Sequence, residues 1–362
     1  VSQKRTGNAA SPTYDDVRRI PDPDGSLRPA QGQGDGKRYL GIVEIARMAG
    51  VSTITVSRAL RNPDVVSEKT RTKILDIVQQ TGYVSNPHAR ALRVGHSTIV
   101  VAFVSSMISP QFSIAMQKCS DILEAAGYQL LMGLTSYSYP KEIFGISTLK
   151  AIKPAAVLFT GVIELESNRR ALRELGVPIL ESWAYPRDPI DMLVGFPNYD
   201  CGRLAARYLH GKDCKRVYFI GRQSGRGMLR QQGFTDTAAA LGLEVKDTIL
   251  LKDIQNIYEG KKIYQHLKAS LKSGDGIFCA NDILALGIHS EIKDTSAQRR
   301  AQPVLIGFGD IGYMSRTEPR LPLVGMDSAL VGEKAAAMIL NKLRGKKQPC
   351  ISYVPAELYE PR

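Results

Sequence analysis

Long apolar runs are missing from this chain. No stretch approaches the ~20 residues that a membrane-spanning helix requires, so no such helix is expected. The opening Val1-Ser2-Gln3-Lys4-Arg5-Thr6-Gly7 leads into no hydrophobic segment, and no secretory signal is read there. Cysteine is sparse and widely spaced. Cys119, Cys201, Cys214, Cys279 and Cys350 make neither a disulfide framework nor a CxxC metal motif. The five histidines never pair at ligand spacing, so neither a metal nor another cofactor is expected. These absences point to a cytoplasmic protein with reduced thiols. Acidic residues are also in deficit: 35 against 48 basic ones give a net charge of +13, which favours polyanionic partners without naming one.

What is present divides unevenly. A length of 362 residues suggests two or three domains. Residues 39–96 carry eight basic and four acidic side chains, whereas residues 97–362 carry 33 and 26. The basic excess per residue is more than twice as high in the shorter segment. Residues 1–38, rich in Pro, Gly, Asp, Arg and Gln, read as a disordered leader.

From Tyr39 the pattern turns helical. Ile42, Ile45, Ala46 and Ala49 repeat at helical spacing, and Gly50 stops the helix. Ser52 is placed to cap a second helix from Thr53 to Leu60, and Ser67 a third that closes at Gly82. Three short helices with a glycine turn form a helix-turn-helix unit over residues 39–84. Within residues 85–97, Asn86 and Pro87 begin a short helix through Leu92, too short to be stable alone.

Beyond Thr98 the period changes. Ile99–Val104, Gln129–Met132, Ala156–Phe159, Pro178–Leu180, Val217–Ile220, Gly276–Cys279 and Val304–Ile306 read as buried strands. Helical stretches at 140–153, 199–210, 229–241, 257–272 and 281–293 separate them. This alternation predicts an α/β class with parallel sheets, and residues 98–362 are long enough for two lobes and a cleft. The glycine-rich run Gly221–Gly227 lacks the lysine and Ser/Thr of a phosphate loop, and reads as a strand-to-helix loop. No nucleophile, base and acid recur at catalytic spacing, so no enzyme is expected.

The run Ile45-Ala46-Arg47-Met48-Ala49-Gly50-Val51-Ser52-Thr53-Ile54-Thr55-Val56-Ser57-Arg58-Ala59-Leu60 continues through Asn62-Pro63, Val66–Arg71 and Gly82–Pro87. It resembles, almost residue for residue, the signature of the lactose/galactose-repressor family of bacterial transcription regulators. The resemblance extends from about Tyr39 to the C-terminus. It implies an N-terminal DNA-binding domain, a hinge helix and a two-lobed core like that of periplasmic binding proteins. It further implies operator double-stranded DNA, a small-molecule effector and a homodimer as partners, and no membrane. Thr53 and Ile54 match the positions that choose among operators, and Arg58 suits a bidentate guanine contact in the major groove. Thr55, Ser57, Lys69, Thr70, Arg71 and Asn86 are placed for phosphates, which set register. Leu92 matches the leucine that wedges into the minor groove; packing against the core is its alternative role.

In the core, Asn198–Ala205 resembles a family element, with Pro197 in place of its aspartate. Asn281 and Arg230 match effector-binding positions. In Gly307-Phe308-Gly309-Asp310, Gly309 replaces the first aspartate of sugar-binding members. An aspartate ~4 Å from a ligand carboxylate would repel it by about 4 kcal/mol at an effective dielectric of 20, so the glycine favours an acidic ligand. Leu180-Glu181-Ser182-Trp183 resembles the gluconate-operon-repressor branch, implying a sugar acid such as gluconate as the effector. The expected effector set is Arg230, Asn281, Gly309, Asp310, Glu181, Trp183, Arg222 and Arg226, with solvated arginines and a core tryptophan as the alternatives. Two other functions share these features: a two-lobed sugar-binding protein, and a sugar-acid enzyme with an added DNA-binding module.

Overall fold

A computed structural model describes residues 41–60, 63–83, 97–135, 145–185, 188–223, 225–295 and 302–361. The leader at 1–38 and the linker with Asn86 and Leu92 lie outside the described residues. The chain divides into two compact units between Ser85 and Asn86.

The first unit contains α1 (Ile42–Ala49), α2 (Thr53–Ala59), a single 3-10 turn (Pro63–Val65) and α3 (Glu68–Thr81). The Gly41 amide donates to Glu44 Oε2 at 2.9 Å, satisfying one donor at the start of α1. Gly50 ends α1 at φ +69°, a left-handed conformation that glycine adopts without a Cβ penalty. The reversal delivers Ser52, whose Oγ accepts the Thr55 amide at 3.1 Å and caps α2. Ile45, Ala46, Ala49, Val56, Ala59 and Ile74 form the core, and three of these six are alanines that let the helices approach closely.

In the second unit, β1 (Ile99–Val104), β2 (Gln129–Leu134), β3 (Ala156–Phe159), β4 (Ile179–Ser182) and β5 (Met192–Gly195) build the first sheet. It is completed by β11 (Ile351–Tyr353), giving the all-parallel order β11-β5-β4-β3-β1-β2. The helices of this lobe are α4 (Pro110–Ala125), α5 (Ile146–Ile152), α6 (Glu166–Arg173) and α12 (Ser328–Leu343).

The second sheet contains β6 (Arg216–Arg222), β7 (Glu244–Leu251), β8 (Gly276–Cys279), β9 (Val304–Asp310), β10 (Leu323–Met326) and β12 (Glu357–Tyr359). Its order is β12-β10-β9-β8-β6-β7, and only the β10–β12 pair is antiparallel. Its helices are α7 (Asn198–Gly211), α8 (Gly225–Ala240), α9 (Ile257–Leu267), α10 (Asp282–Thr295) and α11 (Ile311–Thr317). The first sheet thus combines early strands with a late one, because the chain leaves the first lobe after β5 and returns to it with α12 and β11, then goes back to the second sheet with β12.

Several elements differ from the sequence expectation. β5, β10, β11 and β12 were not among the expected strands; β11 and β12 are three residues long and only partly buried, so no apolar run marks them. β7 is an edge strand whose exposed charges break any apolar run. The helix expected at 229–241 begins at Gly225, so the supposed loop at 221–227 is mostly regular structure. Arg222 ends strand β6, and Arg226 lies in the first turn of α8.

Helices α7 and α8 pack at backbone contact. A Cβ on Gly202 would stand 2.1 Å from the Arg230 carbonyl, and one on Gly233 2.0 Å from the Tyr199 carbonyl. Gly233→Ala is therefore expected to push the helices apart and destabilise the fold by about 1–3 kcal/mol. It should also displace Arg230, one turn away. Urea unfolding monitored by Trp183 fluorescence checks the first effect; an unchanged midpoint would contradict the close packing.

Candidate nucleic-acid interface and effector cleft

The helix-turn-helix unit presents α2 as a short rod with one buried face. Val56 and Ala59 point into the core, while Ile54 and Arg58, four residues apart, share the exposed face. Ile54 is 59% exposed, and other apolar side chains of this unit, such as Val43 and Val65, are exposed as well. Thr53 and Ser57 are half-buried beside Ile54 and Arg58. The Thr55 hydroxyl lies 2.9 Å from Ser52 Oγ in the helix cap, and the Thr70 hydroxyl lies 2.9 Å from Ser67 Oγ at the head of α3. Lys69 and Arg71 are exposed on the first turn of α3. Of the expected DNA contacts, only Asn86 and Leu92 fall outside the described residues.

The cleft of the second unit forms where the carboxyl ends of parallel strands from both lobes meet, the usual ligand position in such sheets. Gln111, Phe112, Trp183, Arg222, Arg226, Arg230, Asn281 and Phe308 line it. Arg230 is buried, with its Nη1 donating to Asn198 Oδ1 at 2.5 Å and its Cζ 4.1 Å from the centre of the Phe308 ring. An amide acceptor and a π-face offset part of the cost of burying a guanidinium. Asn198 Nδ2 donates in turn to the Trp183 carbonyl at 2.9 Å. Trp183 adopts φ +63°, a left-handed conformation unusual for a bulky residue. Its indole N–H donates to Gln111 Oε1 at 3.2 Å, and its ring packs on Phe112 at 5.0 Å.

Arg222 Nη1 donates to the Lys252 carbonyl at 2.7 Å, and its Nη2 reaches the Ile254 carbonyl at 3.5 Å. Arg226 Nη1 crosses the cleft to the Thr160 carbonyl at 2.9 Å, over the Phe112 ring. Asn281 Oδ1 accepts the Leu284 amide at 3.1 Å at the head of α10.

Three residues expected in the effector set do not line the cleft. Glu181 is fully buried, and its two oxygens accept the amides of Ile163 (2.5 Å) and Ile190 (2.7 Å). Asp310 accepts the amides of Tyr313 (2.6 Å) and Ser328 (2.7 Å), tying α11 to α12. At Gly309 a Cβ would sit 3.0 Å from Asp282 Cβ and 3.4 Å from Met314 Cγ. The glycine makes room for a buried aspartate rather than for a ligand. Conversely, Gln111, Phe112 and Phe308 line the cleft without having been singled out. Gln111 and Phe112 follow the first strand by a few residues, and that position was the available signal.

Asp282 links the lobes: its Oδ2 accepts a short hydrogen bond from Ser109 Oγ, which also accepts Gln111 Nε2 at 2.9 Å. Burial pushes the Asp282 carboxyl above the ordinary carboxylate range, against the opposing pull of Ser109, the Ile283 amide and Arg230. A carboxyl raised on folding stays protonated in the native state after the unfolded chain has lost its proton, so stability falls as pH rises between the two values. Relative to Asp282→Asn, the wild type is expected to lose stability as pH increases above about 4. Urea midpoints of both proteins between pH 4 and 8 check this; a wild-type midpoint that holds steady or rises with pH relative to that of Asp282→Asn would contradict the assignment. Burial also pushes the Cys119 and Cys201 thiols up to about 12, which suits inert packing.

Residues 41–86 match the family model of bacterial regulatory proteins, lacI family, and residues 206–360 match that of the periplasmic binding protein-like domain. The HTH-type transcriptional regulator GntR of Pseudomonas aeruginosa is 32% identical over 306 residues, spanning 84% of this chain and 89% of that protein. GntR of Escherichia coli K12 is 24% identical over 84% of this chain and 92% of its own length. A LacI-family transcriptional regulator from Silicibacter pomeroyi superposes with a TM-score of 0.78 at 25% identity, covering 89% of this chain and 98% of that one. No helix among the described residues is long and apolar enough to cross a membrane. With its capped recognition helix and arginine-lined cleft, the chain belongs to the lacI family of bacterial regulatory proteins: it is a transcriptional regulator that binds operator DNA and a small-molecule effector, not an enzyme.

Proposed function

We propose that the protein is a cytoplasmic repressor of sugar-acid metabolism that binds a near-palindromic operator as a homodimer, with a gluconate-like acid as its effector. Residues 39–84 serve as the DNA-binding domain, 85–97 as the hinge and 98–362 as the effector-binding and dimerisation domain, behind the leader at 1–38. A two-fold dimer offers two copies of α2 to two half-sites. Leu92 acts as the minor-groove wedge, and Thr53, Ile54 and Arg58 read bases.

The observation that carries the effector reading is the buried Arg230 at the cleft wall, held on Asn198 and Phe308. A fixed guanidinium pairs best with a carboxylate, through charge-assisted and geometrically bidentate bonds. Asn281 supplies polar atoms for hydroxyls, and the relatives named GntR support the gluconate branch.

Arg58→Ala is expected to weaken the cognate operator by about 1–3 kcal/mol and to leave non-specific binding nearly intact. Arg71→Ala should weaken all sequences alike and reduce the salt slope by roughly one unit. Fluorescence anisotropy on cognate and scrambled duplexes separates the two; uniform losses in both variants would remove Arg58 from base readout.

For the cleft, calorimetry with gluconate, galactose and ribose is expected to rank gluconate first, and Arg230→Ala to abolish that preference. Tighter binding of a neutral sugar would overturn the sugar-acid reading.

A further inference from the structure

A pinned basic loop stands at the end of the first lobe that faces away from the cleft. Helix α12 ends at Leu343, and the chain turns through Gly345 at φ +67° toward β11. Backbone bonds fix the turn: the Gly345 amide donates to the Lys342 carbonyl at 3.0 Å, and the Lys346 amide to the Asn341 carbonyl at 2.9 Å. Further on, Gln348 Nε2 donates to the Met338 carbonyl at 2.7 Å, and the Cys350 carbonyl accepts the Leu193 amide at 2.8 Å. Held at both ends, the loop presents Arg344, Lys346 and Lys347 to solvent.

The sheet fixes where this loop lies. β11 pairs parallel with β5, and the pairing stays parallel through β4 and β3 to β1. The loop before β11 therefore shares an edge with the start of β1, where the chain arrives from the DNA-binding unit. Four strand spacings, ~19 Å, separate the two. Lys153, exposed just before β3, belongs to the same edge.

Neighbouring cations are neutralised, Lys150 by Glu174 at 3.5 Å and Lys342 by Asp191 at 2.6 Å. Among the described residues, Lys153, Arg344, Lys346 and Lys347 meet no carboxylate within ion-pair distance. The exposed Glu124, near the end of α4, offsets only one of these charges. Lys153 and Arg344 cap the carboxyl ends of α5 and α12, where the helix dipole favours a cation. Lys346 and Lys347 lie beyond the helix end, and their mutual repulsion gives the fold nothing.

We propose that this edge of the first lobe is a second, sequence-independent DNA contact, in which Arg344, Lys346 and Lys347 meet phosphates flanking the bases read by α2. Such contacts need charge and reach rather than base-specific geometry, which suits exposed lysines. The linker at 84–97 spans ~50 Å at most. DNA held by the first unit is thus tethered to this edge at high effective concentration, whereas an acidic protein would have to be recruited from solution.

The test uses an operator selected by the full chain from a random-sequence pool. It is placed in a short duplex that ends at the selected bases, and in one longer by about 15 base pairs on each side, matching the tether at ~3.4 Å per step. Fluorescence anisotropy then follows affinity between ~50 and ~200 mM salt. The triple variant Arg344→Gln, Lys346→Gln, Lys347→Gln is expected to bind the long duplex about tenfold more weakly at the lowest salt, with a slope shallower by roughly two units or more. On the short duplex it should match the wild type within about twofold, which also shows that it is folded. Lys346→Arg with Lys347→Arg should keep the wild-type slope, because the contact depends on charge.

An unchanged slope on the long duplex would overturn the proposal, as would equal losses on both duplexes. Unchanged DNA binding combined with lost repression in cells would overturn it too, and would assign the loop to an acidic protein.

Discussion

The cleft depends on one amide. Asn198 accepts from Arg230 through Oδ1 and donates to the Trp183 carbonyl through Nδ2, so a single buried side chain joins a cation of one lobe to the backbone of the other. Remove either bond and a buried polar group is left unsatisfied, which costs more than an average hydrogen bond gains. The amide can serve both partners because it heads α7, where Pro197 ends the crossing from β5. The same helix presses on α8 through Gly202 and Gly233, and so brings Arg230 within reach.

Around that amide, the polar links between the lobes are few and exchangeable. Ser109 reaches Asp282 beside the cleft, and Arg226, which lines the cleft, reaches Thr160. Polar contacts of this kind have small net worth, because water or a ligand can replace either partner. The sheets themselves are different: their buried apolar strands move only as blocks. A ligand that alters the bridging bonds therefore shifts rigid lobes rather than deforming either one. Effector control of DNA binding requires such a coupling between two sites.

Much of the DNA-binding unit was legible in the chain. Gly50, Ser52 and the spacing of Ile45, Ala49, Val56 and Ile74 act within a few residues, and local signals of that range survive in a linear reading. The central strands were legible for the same reason, being apolar runs buried on both faces. β5, β7, β10, β11 and β12 were not, because short or edge strands take their conformation from the neighbours that they pair with.

The sequence by itself determined a capped helix-turn-helix, a strongly basic amino-terminal segment and an alternating α/β core, since each follows from propensity, charge and period along the chain. Tertiary structure decided which charges meet. Glu181, Asp310 and Gly309 stood beside promising motifs, yet backbone amides hold the two carboxylates and Asp282 fills the space at the glycine. Gln111 and Phe308, nearly two hundred residues apart in the chain, face the same cleft. A side chain's partners depend on where distant strands end, and only the closing of two sheets around one cleft fixes that.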